Sequence, residues 1–497
     1  MLVPVLLLAL ALVLRLYRIV PSYDLFIDEV TYSQLADNVA RGAGVVLYGN
    51  PFTLHPPVGF WILGGMVRLL GLGSDEPGLI FSLRVVPAVF GALTVVLAYG
   101  IVRVLRLGTP VALAVALVVA LDPFQVYFDS RVMLEAEVQL FVALTLFLLA
   151  WLTRPDVRHA TALTVGAGLA AGLAASSKET FGLVLVLTLL VLVVSGRAVS
   201  RRRTLVVLAV SAGVYAACVV WTSVNYGFST WWTYRTQGLA RLLGTTQTTG
   251  FNAPNSQVTF QSRLVANLDQ YAVTYALLLL GGIATMVLVV RARLWRGPRS
   301  HESVAPPSWT LLAAWSFASC SYLAYATLVG SLEEQMYYIA LLPCTLTFFV
   351  LLSTLPRPDR RWGSLLVAVV TIAMLAYQGS VWVRVHSTDN NLYRTFFAWE
   401  RTHVPRGSTV SAAERTAQFV LTGVRLGEWT TFPELRKNRV DYVLVQTKLA
   451  EQGYGPAEAP FLRQLKSRGR VAFRASSSKS GDLVLYDVRR ITGSSAR

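Results

Sequence analysis

The residues of this chain best equipped for chemistry are acids set a few positions from cations and aromatics. Asp24 is followed by the run Ile27-Asp28-Glu29-Val30-Thr31-Tyr32, then by Leu54-His55-Pro56-Pro57 and Arg84. A second group holds Asp122, Asp129, Arg131, Glu135 and Glu137, and a third is Ser176-Ser177-Lys178-Glu179. The fourth is Glu333-Glu334-Gln335-Met336-Tyr337-Tyr338. A carboxylate in such a set can take the proton of a reacting hydroxyl. Arg and Lys can hold a phosphate and stabilise charge developing on it. Each residue also has a plain structural role. Asp28-Glu29 would suit a helix start. Lys178 would reach along the helix to the interface, Arg15 and Arg84 would anchor at it, and His55 would sit in a turn.

The segments that must position these groups are apolar. Of 497 residues 54% are hydrophobic and only 14% charged, where a soluble protein carries about 25% charged residues. That excludes a single water-soluble enzyme and a disordered nucleic-acid-binding tail. Long apolar runs such as 111–121 and 183–194 read as membrane spans. The fold class expected is mainly α, with about eleven transmembrane helices. They fall at roughly 1–20, 84–102, 110–127, 137–152, 160–177, 180–195, 204–222, 271–290, 308–328, 336–354 and 362–378. Residues 58–70 are short for a span and are expected as an interfacial or re-entrant helix within the first outer loop.

Placement of the positive charge sets the orientation. The net charge is +17, and much of it sits in short Arg-rich connections. These are Arg103/Arg106, Arg154/Arg158, Arg197/Arg201/Arg202/Arg203, Arg291/Arg293/Arg296/Arg299 and Arg357/Arg360/Arg361. With the N-terminus inside, all five clusters face the cytoplasm. The chemical groups then gather on the outer face, where charged residues near a bilayer are kept for substrates or pairing. The N-terminal apolar run has no preceding cations, so it is expected as a retained span rather than a signal peptide. Cys218, Cys320 and Cys344 lie in spans and are expected as buried hydrophobes without a disulfide or metal cluster.

Beyond about residue 379 the texture changes. Short β-branched runs at 409–411, 441–446, 471–474 and 483–487 alternate with helical stretches at 392–402, 433–438 and 460–468. A membrane domain over 1–378 and an outer α/β domain over 379–497 are expected. Outer loops at about 21–83 and 223–270 join the membrane domain. The 223–270 loop and the C-terminal domain are candidates for acceptor binding.

The run Arg15-Leu16-Tyr17-Arg18, Asp28-Glu29-Val30-Thr31-Tyr32, His55-Pro56-Pro57 and Arg84-Val85-Val86-Pro87 resembles the GT-C glycosyltransferases that use polyprenyl-phosphate sugars. The protein O-mannosyltransferase and lipid A aminoarabinose transferase superfamily is the most similar branch. The resemblance continues through Ser130-Arg131-Val132-Met133-Leu134-Glu135, Ser177-Lys178 and Glu334-Gln335-Met336-Tyr337-Tyr338. It implies that Asp28, with Glu29, engages the acceptor hydroxyl and that Glu135 supplies the second acid. Here Ala136 follows Glu135, where the family has Asp-Pro. The resemblance implies Lys178, with Arg84, Arg131 and Arg15, for the donor phosphate. Tyr32, His55, Gln335 and Tyr337 would line the substrate. Leu54-His55 stands where the aminoarabinose branch has Glu-Lys before Pro-Pro, so that branch's metal-liganding acid is absent. No cofactor is required, although a divalent metal (Mg or Mn) is left open. Trp231-Trp232-Thr233-Tyr234-Arg235 resembles an oligosaccharyltransferase motif but lacks its Asp and Gly, and interfacial aromatics fit it better.

The expected activity is therefore inverting transfer of a sugar, mannose as first choice, from a polyprenyl-phosphate carrier to an acceptor hydroxyl. The site would lie outside a bacterial plasma membrane, without nucleic acid. Transfer of arabinofuranose or another pentose or hexose is the alternative within enzymes. A transporter or flippase is the alternative outside them, but the internal repeat that many transporters show is not found.

Overall fold

The computed structural model describes residues 2–73, 78–246, 256–292, 306–329, 332–354, 360–421 and 423–494. Arg293, Arg296, Arg299 and Arg357 of the expected inner clusters lie outside them.

The chain opens with α1 (Leu2–Leu16), whose last-turn Arg15 is buried. A connection then leads to α2 (Ile27–Ala40), a hairpin of β1 (Val46–Leu47) and β2 (Asn50–Pro51), α3 (Val58–Leu70) and α4 (Gly78–Leu83). The 13-residue α3 stops at Gly71, which takes the left-handed conformation open to glycine. Its bounds are those of the short helix expected at 58–70.

Next come α5 (Val85–Val104), α6 (Thr109–Leu121), α7 (Pro123–Asp129), α8 (Leu134–Leu152), α9 (Ala160–Ser177), α10 (Glu179–Ser195) and α11 (Arg201–Tyr226). After them follow α12 (Phe228–Leu242), α13 (Phe260–Ala292), α14 (Pro307–Leu328), α15 (Tyr337–Thr354) and α16 (Arg360–His386). Among the described residues, eight helices are long and apolar enough to cross a membrane. The pair α6–α7, bent by 58°, passes the same test as one broken span. Two expected spans, α1 and α10, are shorter, at 15 and 17 residues. The last helix runs to His386, past the expected end at 378.

The break between α6 and α7 is chemically specified. Pro123 supplies no amide hydrogen, and the Asp122 carboxylate caps the new helix at the amides of Phe124 (3.0 Å) and Gln125 (3.1 Å). Thr274 of α13 and Gln378 of α16 donate to the other carboxylate oxygen, at 2.9 and 3.2 Å. Close helix contacts are bought by small residues. A side-chain carbon at Gly281 of α13 would stand 2.4 Å from the β-carbon of Cys344 on α15. Cys218 and Cys344 are buried, Cys320 is half-buried, and all three are free thiols.

The C-terminal domain starts with α17 (Leu392–His403) and holds a five-stranded sheet. Its members are β3 (Thr409–Ala412), α18 (Arg415–Val420), β4 (Arg425–Gly427), α19 (Phe432–Lys437), β5 (Tyr442–Gln446), α20 (Thr447–Glu451), α21 (Ala459–Arg468), β6 (Arg470–Ser477) and β7 (Gly481–Asp487). Strand order is β4-β3-β5-β7-β6, with β3 parallel to both neighbours and the β5–β7 and β7–β6 pairs antiparallel. Every residue of central β5 is buried, as a strand covered on both faces must be. The four runs read as strands appear as β3, β5, β6 and β7. Three-residue β4 was missed because its partly exposed Arg-Leu-Gly carries no alternation.

This domain rests on the first connection of the membrane domain. Asp24 accepts from the amides of Leu25 (3.0 Å) and Tyr393 (3.2 Å) and from the Gln446 side chain (3.3 Å). Leu25, Val30 and Ile80 share one apolar cluster with Phe396, Val410, Leu444 and Leu483. Burial pushes the Asp24 carboxyl up to about 6, while those amides and nearby Arg131 and Arg84 oppose the shift.

Candidate active site

A cavity of about 830 Å³ opens between the membrane domain and the C-terminal domain. Its walls come from the start of α2, the turn before α3, the α7–α8 and α9–α10 junctions, α12, the start of α13, the segment before α15, and the C-terminal domain. Of the residues expected at the site, Asp28, Tyr32, His55, Arg131, Glu135, Lys178 and Gln335 line it.

Asp28 is in the first turn of α2 and faces the cavity. Burial raises its carboxyl to about 7; Lys178 opposes that shift, Glu333 and Glu135 reinforce it, and Arg241 opposes it. Lys178 is the extended residue (φ −150°, ψ 114°) between α9 and α10, so its side chain leaves the helix stack. It is ion-paired to Glu135 of α8, whose second carboxylate oxygen is buried without a partner. Two residues along α8, Glu137 accepts from Ser177 at 2.6 Å. Consecutive acids on α8 thus hold both Ser177 and Lys178 at the break.

Arg131 lies with its guanidinium 4.1 Å from the Tyr127 ring and 5.8 Å from that of Phe26. It donates to the Tyr127 hydroxyl at 2.6 Å, while its buried Nε has no partner. His55 packs edge-on against Tyr32 with ring centres 5.9 Å apart. Burial, followed by Lys178, Arg235 and Arg241, holds its imidazole well below the usual range, so it is neutral. Gln335 donates to Glu333 at 2.5 Å.

Four expected residues do not line the cavity. Glu29 follows Asp28 on the helix and therefore points about 100° away from it. It accepts from Arg84 Nε at 2.7 Å, from Arg84 Nη2 at 2.8 Å, and from the Val132 amide at 3.2 Å. Arg84 is fully buried and spends its other hydrogens on the carbonyls of Ile19 (2.9 Å) and Tyr23 (3.0 Å). Arg15 donates to Asp129 at 2.7 Å and to the Ala120 carbonyl at 3.1 Å. A side-chain carbon at Gly91 would lie 2.1 Å from Asp129, so only glycine leaves room for that pair. Tyr337 packs against Tyr275 and Phe124. Arg84 and Arg15, expected at the donor phosphate, thus form buried pairs away from the cavity lining.

Other cations in the walls were not singled out. Arg235 bonds Glu179 and the Thr53 carbonyl, and Arg241 bonds Glu333 at 2.8 Å. Residues 235, 238, 239, 241 and 242 of α12 all line the cavity, a helical face that periodicity within 223–270 could have revealed. Arg263, Arg415, Lys448 and Lys479 join from later segments, and no local signal marks them. Among the described residues no three His, Cys, Asp or Glu groups converge as metal ligands. Glu135 is tied to Lys178 and Glu333 to Arg241, so this donor set does not fit a divalent metal.

The family model of dolichyl-phosphate-mannose-protein mannosyltransferases matches residues 54–222. The fold is similar to that of ArnT from Cupriavidus metallidurans bound to undecaprenyl phosphate. The TM-score is 0.58 at 15% identity, covering 98% of each chain. It is also similar to the oligosaccharyltransferase of Archaeoglobus fulgidus in complex with Zn and sulfate. There the TM-score is 0.57 at 13% identity, covering 98% of this chain and 73% of that one. No curated protein matches the sequence. The chain is a multi-span membrane protein with the fold of the GT-C glycosyltransferases.

Proposed function

We propose that the cavity transfers a sugar, mannose as first choice, from a polyprenyl-phosphate carrier to an acceptor hydroxyl. The observation carrying this is that one buried cavity brings the Asp28 carboxylate together with the Lys178 ammonium and Glu135. The acceptor oxygen attacks the anomeric carbon as the bond from that carbon to the phosphate oxygen breaks. Asp28 takes the hydroxyl proton, and the polyprenyl phosphate leaves with the bonding electrons. Lys178, with Arg131 and Arg241 of the same cavity lining, balances the charge gathering on the departing phosphate. Glu135 holds the ammonium in place until the phosphate competes for it. One displacement inverts the anomeric centre, and no enzyme nucleophile is needed. Tyr32, neutral His55 and Gln335 shape the sugar pocket.

The site is assigned to the outer face of a bacterial plasma membrane, with the N-terminus inside. Arabinofuranose and other pentoses or hexoses compete with mannose as the sugar, and a panel of labelled polyprenyl-phosphate sugars incubated with membranes separates them. The test of mechanism is Asp28→Asn, which keeps the shape and removes the base. Transfer should fall at least a thousandfold, while binding of undecaprenyl phosphate persists. Near-normal turnover would overturn the assignment.

A further inference from the structure

The proposed donor chemistry uses the pole of the cavity around Lys178. A second cationic pole lies on the wall built by the C-terminal domain. Lys448, in the first turn of α20, and Lys479, in the turn between β6 and β7, both line the cavity. The Lys448 ammonium donates to the backbone carbonyl of Lys479 at 2.7 Å, which ties α20 to the β6–β7 turn. The Lys479 Nζ is buried and has no hydrogen-bond partner. Arg263 borders them, with its guanidinium 5.9 Å from the Tyr454 ring and 3.2 Å from Gln452.

The acids that act on these lysines are Glu334, on Lys448, and Asp269, on both. Glu334 accepts from Asn267 at 3.0 Å and stands 4.0 Å from Arg263. Asp269 stands 3.6 Å from Arg384. Burial, reinforced by Arg384 and opposed by Asp269, pushes the Lys479 ammonium down to about 8. A buried ammonium without a partner is costly unless an anion arrives to pair with it.

We propose that this pole is the acceptor subsite and that the acceptor carries an anionic group, a phosphate or carboxylate, held by Lys448 and Lys479. The inference rests on the transferase reading, because only the donor pole fixes which ligand is left to be the acceptor. Two separated anion sites on one cavity let a negatively charged acceptor enter without displacing the donor phosphate. The acceptor hydroxyl then points from the lysine wall toward Asp28.

The test uses the full-length protein in phosphatidylcholine nanodiscs saturated with undecaprenyl phosphate. Glycerol 1-phosphate is titrated in, with glycerol as the neutral control. The phosphate ester should bind alongside the lipid and glycerol should not. The Lys448→Gln/Lys479→Gln double variant should lose at least tenfold in affinity, and Lys448→Arg/Lys479→Arg should recover most of it. Undecaprenyl phosphate binding by each variant reports that it is folded. In nanodiscs containing phosphatidylglycerol, weaker glycerol 1-phosphate binding that depends on the two lysines identifies a lipid-borne anion, and unchanged binding a soluble one. Equal affinity in wild type and the Gln variant, or displacement of undecaprenyl phosphate by the ester, would overturn the proposal. A protein that binds the ester through these lysines but no polyprenyl phosphate would instead remove the donor reading.

Discussion

Asp28 and Glu29 are neighbours with opposite fates, and the physical reason is the turn of one helix. Asp28 looks into the cavity, where burial raises its carboxyl to about 7, while Glu29 is closed into a bidentate pair with Arg84. A base must be ionised to act. The kcat/KM for transfer should therefore climb about tenfold per pH unit below about 7 and level off above it. A pH profile taken at saturating donor checks this, and a flat profile between pH 5 and 7 would contradict it. The same shift has a sign for stability. The folded state binds a proton that the unfolded chain has released, so stability contributed by Asp28 falls as pH rises through 7. Asp28→Asn should consequently unfold in detergent at a temperature no lower than wild type at pH 8. That result separates loss of the base from loss of the fold.

Buried ion pairs join the helices around the site. Arg84 joins the α4–α5 junction to α2 through Glu29 and to residues 19–23 through their carbonyls. Arg15 joins α1 to α7 through Asp129, which also accepts from Tyr338 of α15. Removing one partner of such a pair leaves the other charge buried and costs ~3–5 kcal/mol, whereas removing both costs much less. Arg84→Ala should therefore destabilise severely, and Glu29→Ala/Arg84→Ala should recover part of the loss in a thermal melt. A phosphate-binding Arg84 would give a different outcome: a stable single variant that no longer binds undecaprenyl phosphate.

The assembled molecule closes one cavity with two bodies that are far apart in sequence. Asp24, near the N-terminus, anchors α17 and β5, and so sets the lysine wall opposite Asp28. The orientation assigned here places both bodies' shared face outside. Cysteine labelling at residue 200, between α10 and α11, and at residue 430, in the C-terminal domain, should report opposite sides of the membrane. Labelling from one side at both positions would reverse the arrangement.

What could be read from residue order was whatever depends on local periodicity and charge. Apolar runs specified the helical membrane body, because about 20 consecutive apolar residues have few other places to go. Alternation found most of the C-terminal sheet, and acid–cation clusters found Asp28, Glu135 and Lys178, which line the cavity. Tertiary structure alone decided which charges line the cavity. Arg15 and Arg84 look the same as Lys178 in sequence, yet they pair with Asp129 and Glu29 across 114 and 55 residues away from the cavity lining, whereas Lys178 and its partner Glu135 line it. Lys448 and Lys479 carry no local mark at all, since only folding of the C-terminal domain brings them to the cavity. Electrostatic pairing acts through space over a few ångströms, and the chain order does not record that distance.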